Sequence, residues 1–349
     1  MFRSISKDRI GISKKLTEEE IIELVANRDL EVIQFSKPIE LDTFRLLNEH
    51  LFAKRDDVEL RVFGFYGEKC DLSFLSLVPN VARLSIDCIS EVDHLDVITQ
   101  LDKLKALHIG VYTLHSFEAL HYVPDTLETI MIGQTHSKKP DLAVLDRFRN
   151  LKKICIESHT KNIDVLGNLH QLEEITLRSI TTKHLEFLAP LTKMWSLDVK
   201  LGGINNFSAI EGMDNIKYLE LWQVRGLKDL SFISTLNGLQ YLFLQSLSNV
   251  ETLPALKSLT RLRKIHLQNM KGLKNISSLG QASSLVEFTH WEALKMTIED
   301  YIPLFSNPSV QNVWAGFGSD KRNNEFRSVA EQNGKNYEQL WREFTFESM

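Results

Sequence analysis

Cysteine is scarce: Cys70, Cys88 and Cys155 are the only three in 349 residues. Their odd number, wide spacing and lack of any C-x-x-C pair argue against a disulfide framework or a zinc site. A reducing, cytoplasmic setting is the expectation. Positive charge is also short, with 41 Lys and Arg against 46 Asp and Glu, a net charge of -5 and a pI near 6.1. That balance speaks against a sequence-independent grip on nucleic-acid phosphates. No apolar run approaches a membrane span. The stretch from Met1 to Ile10 carries charges throughout and lacks the continuous apolar core of a secretory signal.

Catalytic devices are missing as well. The eleven histidines form no His-Glu-x-x-His pair, and His94, His115, His121, His159, His170 and His184 scatter over unrelated positions. Cys155 stands between Lys153 and Glu157 with no histidine beside it, so it reads as inert. Gly202-Gly203 and Gly316-Phe317-Gly318 lack the strand-to-helix setting of a phosphate loop and read as turns. No catalytic residue, metal ligand or cofactor is expected.

What the chain has in abundance is a repeat. An L-x-x-L-x-L hexad opens at Val81, Leu104, Leu127, Leu151, Leu172, Met194, Ile216, Leu239, Leu262 and Leu285, at intervals of 21 to 24 residues. Less regular units extend it: Leu30 with Ile33 and Phe35, Leu60 with Phe63 and Phe65, and Val310 with Val313 and Ala315, about thirteen in all. Period-two alternation across the last three positions of each hexad places a short strand with one buried face. Between hexads, apolar residues three apart predict a short helical or 3₁₀ turn, as in Asp71-Leu72-Ser73-Phe74-Leu75 and Asp229-Leu230-Ser231-Phe232-Ile233. A unit this short cannot bury its apolar face alone, so neighbours must stack.

The link Leu-Ser-Phe-Ile followed by Leu-x-x-Leu resembles the leucine-rich-repeat family, closest to the short, roughly 22-residue bacterial internalin-like type, here without a signal peptide. The resemblance covers residues 30 to 317. It implies an α/β leucine-rich-repeat solenoid, a curved right-handed superhelix with a parallel concave β-sheet, short helical or 3₁₀ convex turns and helical caps at both ends. One feature departs from the family. Three residues beyond the hexad, where the family places Asn or Cys, this chain has Ile89, Ile180, Val224, Leu247 and Met270. The turns must then satisfy their backbone differently, and looser geometry is expected.

The expected domains are a cap over 1–29, repeats over 30–317 and a cap over 318–349. Thr17 and Glu20 form a capping box, with Leu16 placed to staple Ile21, and the helix should end near Ala26. A convex helix should carry Leu41, Phe44, Leu47 and Leu51. At the other end Ser319 and Asp320 start a helix with Phe326 and Val329 inward, ended by Asn333-Gly334. A second helix around Tyr337, Leu340, Trp341 and Phe344 is expected to form a lid over the last repeat.

Positions three, five and seven of each hexad frame face away from the core. They are small or unremarkable early in the chain (Arg83, Ser85, Asp87; Ala106, His108, Gly110) and charged in the middle, where Lys153, Glu157, Glu174, Arg178, Asp198 and Lys200 can pair along the ladder. Later they are Tyr218, Glu220 and Trp222; Tyr241, Phe243 and Gln245; Lys264, His266 and Gln268; Glu287, Thr289 and Trp291; then Trp314. Six of these are large aromatics. A contiguous aromatic patch suits capture of a protein partner, with Tyr218, Trp222, Tyr241, Phe243, Trp291 and Trp314 as anchors and Glu220, Lys264, His266, Gln268 and Gln245 around them. The alternative is a carbohydrate or small ligand, which would need a closed pocket around Trp222, Trp291 and Trp314. His290, at an inward position, reads as a core histidine. The oligomeric state is open.

Overall fold

The computed structural model describes residues 3–4, 6–66, 68–338 and 343–348. It comprises two compact units, Met1–Gln171 and Leu172–Met349. In the first, β1 (Arg3–Ser4) runs antiparallel to β2 (Arg9–Gly11), and β3 (Val32–Phe35), β4 (Glu59–Gly64), β6 (Arg83–Cys88), β8 (Ala106–Ile109), β9 (Thr129–Ile132) and β10 (Lys153–Glu157) add in parallel. Two short strands, β5 (Cys70–Asp71) and β7 (Val92–Asp93), pair separately. In the second unit β11 (Glu174–Arg178), β12 (Ser196–Lys200), β13 (Tyr218–Trp222), β14 (Tyr241–Gln245), β15 (Lys264–Gln268), β16 (Glu287–Trp291), β17 (Asn312–Ala315) and β18 (Asn336–Tyr337) are parallel in chain order. This is the leucine-rich-repeat solenoid fold.

The hexads set this register. Leu219, Leu242, Ile265, Phe288 and Val313 align strand by strand, as do Leu221, Leu244, Leu267, His290 and Ala315. All are fully buried. Each contributes about 1.5–3 kcal/mol of apolar burial for a side chain of Val to Phe size, and only because the neighbouring unit covers it. One frame differs from the sequence reading. Leu60 pairs with Leu84 and Val62 with Ile86, so Leu60 occupies the fourth hexad position, not the first. Phe63 consequently lies outside the core set, with the Arg61 guanidinium 4.7 Å from its ring centre. Strand alternation decided this, since only Leu60 and Val62 keep the buried parity.

The outer turns follow the Asp-Leu-Ser-Phe pattern. Asp71 and Asp229 each accept from the amide two residues on, at 2.8 Å, and open 3₁₀ turns over Ser73–Leu77 and Ser231–Thr235. Lacking an asparagine ladder, the inner turns are joined by backbone hydrogen bonds, with the Asn269 side-chain amide also donating to the Ser246 hydroxyl at 3.0 Å. Ser179, Leu201, Gln223, Ser246 and Asn269, each just past its strand, adopt left-handed φ between 49° and 59°. Their amides donate to the last carbonyl of the following strand, at Lys200, Trp222, Gln245, Gln268 and Trp291, over 2.7 to 2.9 Å. The expected looseness is absent from these turns. Ile180, Val224, Leu247 and Met270 are thereby free to be core residues, whereas Ile89 is 53% exposed.

A second device ties units together through polar side chains that each span two carbonyls of an earlier outer turn. Asn307 donates to Leu279 and Ala282 at 2.7 and 2.9 Å, Lys335 to Asn307 and Val310 at 2.6 and 2.9 Å, and Arg55 to Asn27 and Leu30 at 2.9 and 2.8 Å. Arg147 reaches Leu120 and Val123, and Asn215 reaches Leu191 and Met194.

At the amino end α1 (Glu18–Ala26) carries the Thr17–Glu20 capping box, with Leu16 and Ile21 buried. The next outer helix, α2 (Leu41–Leu47), continues as a π-helical turn over Asn48–Phe52 and buries Phe44, Leu47 and Leu51. Leu41, expected inward, is 52% exposed, because its place at the first turn of the helix points it off the core. In the second unit a short α3 (Ile302–Phe305) precedes α4 (Asp320–Gln332), which buries Phe326 and Ala330 and half-buries Val329. The second carboxyl-terminal helix is corrected: Tyr337 lies in β18, beside Val313, and residues 343–348, which include Phe344, have no regular secondary structure. Leu340 and Trp341 lie outside the described residues.

Candidate functional site

The outward positions of the second unit form three rows across the strands. One runs Tyr218, Tyr241, Lys264, Glu287, Asn312; the next Asp198, Glu220, Phe243, His266, Thr289, Trp314; the third Lys200, Trp222, Gln245, Gln268, Trp291. All eleven residues expected at the binding site therefore share one sheet face. The continuous aromatic field is not what they form. The rings divide into separate groups: Tyr218 with Tyr241 (centroids 5.1 Å), Phe243 with His266 (4.6 Å) and Trp291 with Trp314 (4.6 Å). Trp222 is three strands from Trp291, about 14 Å at ordinary strand spacing, with Gln245 and Gln268 between them. The closed pocket expected of a small-ligand site does not follow from that placement.

Charge on this face is largely consumed internally. Glu220 and Lys264, expected to direct a partner, are buried at 8% and 7% exposure. Lys200 bridges Asp198 (3.2 Å) and Glu220 (3.1 Å), and the Tyr218 hydroxyl donates to Glu220 at 2.8 Å. Lys264 pairs with Glu287 at 2.6 Å and lies 5.2 Å from the centre of the Tyr241 ring. Desolvation lifts the Asp198 carboxyl to about 6 and, with Lys264 nearby, holds His266 down at about 4. Burial pushes the Tyr241 phenol up to about 12 and that of Tyr218 higher still. These shifts come from burial on a packed sheet face, and no nucleophile and base are held together by them. His290 is a core histidine: it is fully buried, hydrogen-bonded through Nδ1 to the Tyr301 hydroxyl at 2.7 Å, and held down at about 3 by desolvation.

Gln245, Gln268, Trp222, Trp291 and Trp314 are the half-buried remainder of the face. Gly316 positions Trp314, since a Cβ at Gly316 would lie 2.6 Å from its ring. The small residue is what lets the indole fold back over the strand end.

The sequence reading missed a second set of residues. Trp195, Gln240 and Arg263 precede their strands by one position and together receive the segment 343–348. Phe346 packs on Trp195 (5.1 Å) and Tyr218 (6.2 Å), and Phe344 on Tyr241 (5.3 Å), with the Arg263 guanidinium 4.8 Å from its ring. The aromatic tail therefore covers Tyr218 and Tyr241 in the middle of the unit and not the last repeat, which Phe326 closes against Tyr301, Phe305, Phe317 and Tyr337. A signal was present. Phe344-Thr345-Phe346 alternates with period two, the pattern of an extended segment with one apolar side.

Among the described residues, no helix is long and apolar enough to cross a membrane, and no group of three His, Cys, Asp or Glu is placed to hold a metal ion. Cys70 and Cys88, eighteen residues apart, are both buried and hydrogen-bonded to one another.

A stack of parallel strands on one side, 3₁₀ turns on the other and aligned Leu and Ile rows between them defines a leucine-rich-repeat protein. Solved structures agree on the fold. An internalin of Listeria monocytogenes, InlF, is similar with a TM-score of 0.54 at 16% identity, over 88% of this chain and 86% of that one. A leucine-rich-repeat protein of Leptospira interrogans is similar at 0.50 and 14% identity, over 91% of each chain. Internalin C2 of Listeria monocytogenes aligns with 55% of this chain and 83% of its own at 0.43 and 22% identity. No protein-family model matches the sequence, and no curated protein sequence does.

Proposed function

We propose that this protein is a non-catalytic scaffold, active in the cytoplasm, that holds a protein partner on the outward sheet face of its second unit, either to recruit that partner or to neutralise it. The observation that carries the reading is the row Trp222, Gln245, Gln268, Trp291, with Trp314 beside it. Tryptophan buries much area at small entropy cost, and glutamine offers a donor and an acceptor without a charge to desolvate. Parallel strands hold these groups in place before binding, so little ordering entropy opposes association. Glu220 and Lys264 act within the protein, keeping the face rigid, while Gln245, Gln268 and the indoles make the contacts. Lys200 with Asp198 and Glu220, and Lys264 with Glu287, are ion pairs within the protein, which supports a binding role over a catalytic one.

The test is affinity capture with the intact protein and with Trp222→Ala/Trp291→Ala, each shown to fold by circular dichroism. Tyr122→Ala, at a 69% exposed position of the first unit, serves as control. Loss of the same captured proteins from the tryptophan variant alone supports the reading; equal recovery by all three removes it.

A further inference from the structure

We propose that the ledge formed by Trp195, Tyr218, Gln240, Tyr241 and Arg263 is a docking site for an extended polypeptide segment of the pattern aromatic-x-aromatic-acidic, and that residues 343–348 are its intramolecular occupant. The site deepens the scaffold reading, on which it rests only in taking this sheet face to receive a protein. Its remaining contacts are its own.

The occupant defines the chemistry. Residues Glu343 to Ser348 read Glu-Phe-Thr-Phe-Glu-Ser. Their backbone is gripped by side chains. The Gln240 amide donates to the Glu347 carbonyl at 3.0 Å and accepts from the Glu347 amide at 2.8 Å. Arg263 donates to the Thr345 carbonyl at 2.6 Å, and Arg261 to the Ser348 carbonyl at 2.7 Å. These contacts read main chain, so any extended segment can satisfy them. Selectivity comes from three side-chain seats. Trp195 and Tyr218 receive Phe346, Tyr241 and Arg263 receive Phe344, and Arg263 also pairs with the Glu347 carboxylate at 3.0 Å.

Gln240 is the most informative residue. It is fully buried, and its two amide atoms are turned toward a peptide group 107 positions away in the chain. Arg263 fixes its orientation by donating to Oε1 at 3.1 Å. That burial holds with the tail in place, so an occupant that covered the Gln240 amide without offering a peptide group would forgo about 1–3 kcal/mol. The ledge is therefore matched to a peptide main chain, and a tethered tail fills it at an effective concentration in the millimolar range. A partner segment of the same pattern gains entry by displacing the tail.

The experiment uses the full chain and a fluorescein-labelled peptide Glu-Phe-Thr-Phe-Glu-Ser, followed by anisotropy. Wild type is compared with Phe344→Ala/Phe346→Ala, which alters only the tail and is checked by thermal unfolding. The expected result is at least ten-fold tighter binding to the variant, abolished by adding Gln240→Ala, and absent for a peptide with serine at both phenylalanines. No saturable binding to the folded tail variant, or equal binding to wild type and variant, overturns the proposal. Adding Trp222→Ala/Trp291→Ala to the tail variant should leave peptide affinity within two-fold. A loss there would assign the peptide to the tryptophan row and overturn the ledge as its site. Failure of the peptide assay leaves the capture result at Trp222 and Trp291 untouched.

Discussion

Gln240 holds Glu347 from both sides, its Nε2 donating to the carbonyl and its Oε1 accepting from the amide. Two hydrogen bonds from one rigid, fully buried group fix a segment that has no regular secondary structure of its own. Gln240→Leu should release residues 343–348 while leaving the repeats folded. Hydrogen exchange of the Glu347 amide should rise by at least ten-fold, with exchange in β13 and β14 unchanged. Equal protection in wild type and variant would show that the ring contacts alone retain the tail.

Asn307 illustrates how units are tied together without an asparagine ladder. It is 2% exposed and donates to the carbonyls of Leu279 and Ala282. Asn307→Ala removes one of two donors from each carbonyl, which keep the Ala282 and Leu285 amides, and opens a small void. A loss of about 2 kcal/mol is expected, from two hydrogen bonds removed. Urea denaturation measures it, and a loss below about 1 kcal/mol would mean that water replaces the amide.

Lys264 and Glu287 lie opposite each other on β15 and β16 and are almost wholly covered. Removing one partner leaves an isolated charge under the sheet face. Lys264→Met should cost about 3–5 kcal/mol, whereas Lys264→Met with Glu287→Leu should recover most of it. A double-mutant cycle with no coupling would show the pair to be solvated.

Ser179 stands at φ 54° and donates its amide to Lys200 at 2.7 Å. A β-branched residue resists that backbone region, so Ser179→Val should destabilise by about 2 kcal/mol, while Ser179→Gly should be neutral or slightly stabilising. Thermal midpoints of the two variants check this. A valine variant as stable as glycine would place the strain elsewhere.

His266 and His290 are held down at about 4 and 3 by desolvation. An unfolded histidine takes up a proton near 6.5, so the unfolded state binds more protons below that pH. The stability they contribute is fully present above 6.5 and is lost as pH falls through 4 and then 3. Asp198, lifted to about 6 by desolvation, acts oppositely: stability falls as pH rises from about 4 to 6. His266→Gln should flatten the acid loss measured by thermal midpoint between pH 6.5 and 4. Asp198→Asn should steepen it. The reverse pair of slopes would reject both assignments.

The repeat period, the inward Leu and Ile rows and the capping box at Thr17 were legible in the chain because each depends on neighbours a few residues apart or on a spacing repeated many times. So was the alignment of Tyr218, Tyr241 and Lys264, or of Trp222, Gln245, Gln268 and Trp291, since a constant hexad frame fixes which side chains share a row. The frame at Leu60 was not legible. Phe63 and Phe65 mimic an apolar hexad, and only pairing with β6 selects Leu60 and Val62. Nor could the sequence show that Glu220 is satisfied by Lys200, or that Tyr218 and Tyr241 are covered by Phe346 and Phe344. Sequence by itself determined the solenoid and the composition of its faces, through local periodicity. Tertiary structure alone decided that Tyr218 and Tyr241 are covered, because the pairing of Gln240 with a backbone group 107 residues distant is a contact that no local pattern encodes.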